Sequence, residues 1–140
     1  MSTLNILDKV STIMTKDLIT VHPKDTLLDV KEIFDKNRIH HLPVVEFKKI
    51  VGIMSKADLM HYQRNYDQVP YKDVFEDSRL KAYKVGEVMT KGMATLSPDD
   101  RIDVALEVFR ENILHAIPVV ENGELVGLLT THDIIEALAK

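Results

Sequence analysis

The sequence predicts an α/β fold built of two pseudo-symmetric β-α-β-β-α repeats packed through their sheets. Three observations lead there. Segments recur at one fixed offset of 75 residues; each copy carries an apolar pattern at helical spacing; and each copy follows it with two short apolar runs separated by a brief connection. Met14-Thr15-Lys16 returns as Met89-Thr90-Lys91, and Pro43-Val44-Val45-Glu46 returns as Pro118-Val119-Val120-Glu121. Val51-Gly52, Phe34, Asn37, His40 and Asp58 recur as Val126-Gly127, Phe109, Asn112, His115 and Asp133, again without a gap. Self-similarity at a fixed period marks a repeat architecture, in which one unit has too little apolar area to cover itself.

Taken in order, residues 1–9 read as a short amphipathic helical segment carrying Leu4, Ile6 and Leu7. Residues 10–60 form the first repeat, 61–84 a connector and 85–140 the second repeat. Ile19-Thr20-Val21 and Ala94-Thr95-Leu96 are short β-prone runs, each followed by a proline, Pro23 or Pro98, and by acidic or hydroxyl residues that open a helix. Leu27, Val30, Ile33 and Phe34 share one helix face, as do Ile102, Ala105, Leu106 and Phe109. Those faces require a sheet to cover them.

The sheet comes next in each copy. Leu42–Val45 and Ile50–Met54 read as paired strands, as do Ile117–Val120 and Leu125–Leu129. Asn122-Gly123 joins the second pair and is a hairpin signal, because both residues accept positive φ; the first copy has Lys48-Lys49 there, which leaves its turn type open. A last helix opens at Ser55 and at Thr130. The strands are apolar on both faces, and about 50 residues give too little cover for that, so neither half is expected to fold well alone. The connector holds Tyr62, Tyr66, Tyr71, Phe75 and Tyr83 among Asp67, Asp73, Glu76 and Asp77. That aromatic content fits an ordered crossover packed on the module, or a surface that docks a partner.

Composition narrows the function. Net charge is −4 with the basic residues scattered, which argues against nucleic acid and anionic lipid as partners. There is no cysteine, hence no disulfide or thiolate nucleophile, and no apolar run of membrane-spanning length. The start lacks a basic stretch followed by an apolar one, and a cytoplasmic protein without membrane insertion is expected. No nucleophile elbow, phosphate loop or convergent metal-ligand pattern occurs, so no catalytic residue and no metal site is assigned. Adjacent His40-His41 would point to opposite faces of an extended chain, which disfavours a metal there.

The ordered set Ile13-Met14-Thr15, Ile19-Thr20-Val21, Leu42-Pro43-Val44-Val45 and Gly52-Ile53-Met54-Ser55-Lys56-Ala57-Asp58, with its second copy ending Gly127-Leu128-Leu129-Thr130-Thr131-His132-Asp133, resembles a tandem cystathionine-beta-synthase (CBS) domain pair, or Bateman module. The resemblance implies a regulatory module that binds AMP, ADP, ATP or S-adenosylmethionine in clefts between the repeats and signals to an enzyme, channel or transporter. It implies one site joining Thr130, His132, Asp133 and His115 with Met14, Thr15, Leu18 and Ile19, and another joining Ser55, Asp58, His40 and His41 with Met89, Thr90, Met93 and Ala94. It also implies a homodimer. The chemistry is sound: an ionised Asp accepts from both hydroxyls of a ribose, and a helix N-terminus favours phosphate. Ser55-x-x-Asp58 and Thr130-x-x-Asp133 fit a helix capping box equally well. Some members carry a basic residue two before the strand proline to meet phosphate; here His41 and Ala116 stand there, so the two sites are expected to differ. A ligand-free dimerisation or scaffold module is the alternative function.

Overall fold

The computed structural model describes residues 4–63, 75–112 and 114–140. Its first repeat contains α1 (Leu27–Lys36), β1 (His41–Glu46), β2 (Lys49–Ser55) and α2 (Lys56–Gln63). The connector contributes α3 (Glu76–Lys81), and α4 (Val85–Val88) follows. The second repeat contains α5 (Ile102–Asn112), β3 (Ala116–Glu121), β4 (Glu124–Thr130) and α6 (Thr131–Ala139). Each repeat thus supplies a two-stranded antiparallel sheet, β1-β2 or β3-β4.

The chain divides into two compact units that exchange segments. One comprises Met1–Leu18, Lys48–Ile50 and Gly92–Lys140; the other comprises Ile19–Phe47 and Val51–Lys91. We call them the Asp133 unit and the Asp58 unit. Each unit combines the body of one repeat with the segment that precedes the body of the other. In the Asp133 unit Val10 N–H donates to Asp100 O at 2.8 Å and Ile102 N–H to Asp8 O at 2.9 Å. In the Asp58 unit, at positions 75 residues removed, Val85 N–H donates to Asp25 O at 2.7 Å and Leu27 N–H to Tyr83 O at 3.1 Å. The same logic widens both sheets. Thr15 bridges Leu128 antiparallel and Leu96 bridges Val119 parallel, while Thr90 bridges Ile53 and Val21 bridges Val44 in matching fashion.

Apolar burial follows the predicted faces. Leu27, Val30 and Phe34 of α1 join Leu42, Val44, Met54 and Leu59, and the connector adds Leu80 and α4 adds Val85 to that core. Ile102, Ala105 and Phe109 of α5 join Val10, Leu96, Ile117, Val119, Leu129 and Ile134. α1 opens with a capping box of Thr26 and Asp29, the hydroxyl start expected after Pro23.

Three expectations need correction. Residues 4–9 are not helical: Asn5 Oδ1 accepts from Leu7 N–H at 3.0 Å, a local turn that competes with a helix, and only Val10–Thr12 form a single 3-10 turn. The runs Ile19–Val21 and Ala94–Leu96 contribute one bridging residue each rather than a strand. The first hairpin turns at Phe47-Lys48, one residue earlier than Lys48-Lys49, with φ of 53° and 66°, as Asn122-Gly123 does with 53° and 81°. Of the connector aromatics, Tyr62 and Tyr83 pack on the Asp58-unit core, whereas Tyr66 and Tyr71 lie outside the described residues.

Candidate functional site

In the Asp133 unit, β4 ends where α6 begins, and Thr130 caps the helix. Its Oγ accepts from Asp133 N–H at 3.0 Å, and its own N–H donates to Asp133 Oδ2 at 2.9 Å. The capping reading of this motif therefore holds. One carboxylate oxygen remains, and Thr15 Oγ–H donates to Asp133 Oδ1 at 2.8 Å. Thr15 arrives there because it exchanges two 2.9 Å backbone bonds with Leu128. Met14, one residue earlier, lies over Gly127 so closely that a Cβ at Gly127 would stand 2.5 Å from the Met14 sulfur. Glycine in this strand is thus required by close approach of a neighbour.

Met14 and Asp133 also line a cavity of about 310 Å³, together with Leu4, Asp8, Thr12, Ile13, Ala137 and Lys140. Thr130, Asp133, Met14 and Thr15, assigned jointly from sequence, are brought together here. His115 contributes its carbonyl, which accepts from Thr131 N–H at 3.0 Å, and its side chain is exposed. His132 is exposed on α6, with Nε2 3.7 Å from Glu136 Oε1. Leu18 belongs to this unit and Ile19 to the Asp58 unit.

The Asp58 unit repeats the framework. Asp58 N–H donates to Ser55 Oγ at 2.9 Å, and Ser55 N–H donates to Asp58 Oδ2 at 3.0 Å. Thr90 exchanges two 3.0 Å backbone bonds with Ile53, and Met89 covers Gly52. Among the described residues, however, no hydroxyl donates to the other oxygen of Asp58. His40 uses its carbonyl to accept from Lys56 N–H at 2.8 Å, and His41 begins β1, half-buried. Met93 and Ala94 belong to the Asp133 unit. Sequence reasoning omitted Asp8, Thr12, Ala137 and Lys140, which lie outside the family motif.

The CBS domain family profile matches residues 10–65 and again residues 85–140. The chain belongs to the CBS domain family. An uncharacterised protein of Methanocaldococcus jannaschii is 33% identical, over 88% of this chain and 87% of its own length. The chain spans only 40% of a second uncharacterised protein from that organism, at 28% identity. It spans 22% of an inosine-5'-monophosphate dehydrogenase of Thermoplasma acidophilum, at 30% identity. The crystal structure of the CBS domain of a membrane protein from Sphaerobacter thermophilus superposes with a TM-score of 0.78 at 26% identity, covering 95% of this chain and 90% of that one. CBSX2 in complex with AMP shares the fold, with a TM-score of 0.76 at 24% identity over 93% and 95% of the two chains. A CBS domain pair solved with 5'-methylthioadenosine and S-adenosylmethionine also shares it, with a TM-score of 0.78 at 24% identity over 95% and 97%. Among the described residues no helix is long and apolar enough to cross a membrane.

Proposed function

We propose that this CBS pair is a cytoplasmic regulatory sensor. It binds an adenine nucleotide or S-adenosylmethionine at the Thr130-Asp133 and Ser55-Asp58 boxes and transmits occupancy to a partner enzyme or transporter. The observation that carries the reading is the meeting, inside one compact unit, of a half-buried carboxylate from one repeat with Thr15 from the other, 2.8 Å apart. A hydroxyl already occupies Asp133 Oδ1, which is the bond a ribose hydroxyl would make in its place. Neighbours of the same fold that hold AMP, or methylthioadenosine and S-adenosylmethionine, support the same ligand class.

The test uses the melting temperature of the whole chain with saturating AMP, ADP, ATP or S-adenosylmethionine. A ligand that binds only the folded state at about 100 times its Kd stabilises by about 2.7 kcal/mol. Because both acids complete capping boxes, alanine would lower stability by itself, by about 1 kcal/mol. Asp133→Asn and Asp58→Asn keep an acceptor for the cap and remove the charge. Paired in one chain they are expected to remove the shift; a shift that survives both would move the site elsewhere.

A second reading is a ligand-free dimerisation module. What favours it is that each box already satisfies its own helix terminus, while α6 leaves Ile135 and Leu138 exposed. Light scattering at low micromolar concentration, with Ile135→Glu as the variant, tests the homodimer that both readings include.

A further inference from the structure

At positions that match the lining of the Asp133-unit cavity, the Asp58 unit carries aromatic side chains. Residues 8 and 83 sit at matching points, since Asp8 O accepts from Ile102 N–H and Tyr83 O from Leu27 N–H. Ala137 and Leu4 correspond in the same way to Tyr62 and Arg79, 75 residues removed. In the Asp58 unit the Tyr62 and Tyr83 rings lie 5.0 Å apart, centroid to centroid, on the core, and Arg79 Nη1 donates to Tyr62 O at 2.6 Å. In the Asp133 unit their counterparts Ala137, Asp8 and Leu4 surround the 310 Å³ cavity. The cavity thus opens beside positions that carry two packed aromatic rings in the other unit, and its size is at the small end of the roughly 300–1,000 Å³ typical of ligand pockets.

Its lining is apolar at Leu4, Ile13, Met14 and Ala137 and charged at Asp8, Asp133 and Lys140. Two carboxylates against one ammonium leave a net negative wall, which repels phosphate and attracts a cation. The side chains of Asp8 and Lys140 engage none of the described residues, so both charges are available to a ligand, Asp8 for a cationic group and Lys140 for a carboxylate. Residue 116, two before the strand proline, is a buried alanine and adds no positive charge.

We infer that the Asp133-unit cavity accepts a nucleoside that carries a positive group and no phosphate, and that Asp8 is the residue that sets this preference. The inference rests on the adenosyl reading above and adds the charge of the ligand. S-adenosylmethionine, a sulfonium with an amino acid tail, is the probe of that class; methylthioadenosine is its neutral counterpart, and AMP and ATP are the phosphorylated ones.

Calorimetric titration of the whole chain carrying Asp58→Asn, which silences the other box, tests this with all four probes. S-adenosylmethionine is expected to bind at least about tenfold more tightly than AMP or ATP, with methylthioadenosine between them. Adding Asp8→Asn should weaken S-adenosylmethionine and bring it to within about threefold of methylthioadenosine. Replacing Asp8 and Ala137 together by tyrosine, the residue at both matching positions of the Asp58 unit, should abolish S-adenosylmethionine binding without lowering the melting temperature. AMP or ATP binding as tightly as S-adenosylmethionine, or a preference unmoved by Asp8→Asn, would overturn the inference while leaving the sensor reading in place. Absence of binding by every probe to the unmutated chain would overturn both.

Discussion

The Asp58 unit and the Asp133 unit share a backbone plan and differ in what fills it. In the first, α3 and the residues around it bring Leu80, Tyr62 and Tyr83 onto the core. In the second, the matching positions hold Asn5, Ala137 and Asp8, and a cavity stands beside the helix that carries Asp133. The lesson is that repetition preserved the hydrogen-bond frame, from the capping boxes to the bridges at Thr15 and Thr90, and left side chains free to diverge. One unit spends its apolar groups on closure, and the other keeps space next to its acid. A difference of that kind is what two sites with distinct roles require.

The largest expected effect tests whether the connector belongs to the core. Leu80 is fully buried, whereas Asn5, its counterpart, is exposed. Leu80→Ala removes buried methyl groups and leaves a cavity, so it should destabilise the chain by about 3 kcal/mol. Asn5→Ala should shift stability by no more than about 0.5 kcal/mol. Urea midpoints of the two variants measure the contrast. Equal values would mean that the two units are closed in the same way and that the asymmetry above is mistaken.

Much of this frame was legible in the sequence, and the reasons are physical. A fixed offset exposes repeats because equivalent positions meet equivalent surroundings, and Asn122-Gly123 announces a turn because few other pairs accept positive φ at low energy. The capping boxes at Thr130 and Ser55 were legible for a similar reason, since a hydroxyl three residues before a carboxylate satisfies free N–H groups locally. The exchange of segments was not legible. Met89 opens the second repeat, yet it packs on Gly52 of the first, and hydrophobic periodicity records that a face is buried without recording against what. The cavity left a signal that motif matching passes over: Tyr62 against Ala137 and Tyr83 against Asp8, large against small at the same offset that identified the repeats.

The two hairpins give a smaller contrast. Phe47 and Lys48 hold the same left-handed conformations as Asn122 and Gly123, although Phe47 is 89% exposed and finds little packing to offset its strain. Side chains larger than glycine are strained at such φ values, asparagine least among them. Replacing Phe47-Lys48 with Asn-Gly should therefore stabilise the chain by about 1 kcal/mol, and placing Phe-Lys at 122–123 should destabilise it by a similar amount. Thermal unfolding of both chains decides the matter. If the Asn-Gly replacement at 47–48 lowers stability, the exposed ring makes a contribution that the turn geometry does not reveal.

The smallest effect comes from charge. Lys31 on α1 meets Glu76 at 3.1 Å and Asp77 at 3.2 Å, whereas its counterpart Leu106 packs on the other core. The hydrogen bond to Glu76 holds the Lys31 ammonium above its ordinary pKa; partial burial opposes that, and Asp77 adds to it. A basic group whose pKa is raised on folding stabilises the folded chain at all pH values below its unfolded pKa, about 10.4 for lysine. That contribution is lost as pH rises through the folded value, because the ammonium then releases its proton in both states. Stability should accordingly decline with rising pH from about pH 10 upward, and less so in Lys31→Met, where no proton is lost at that position. The two chains share every other titratable group, so the difference between the two pH profiles isolates the lysine. Identical profiles would show that the carboxylates of α3 hold Lys31 no more tightly than water does, and that the two units differ in packing but not in charge.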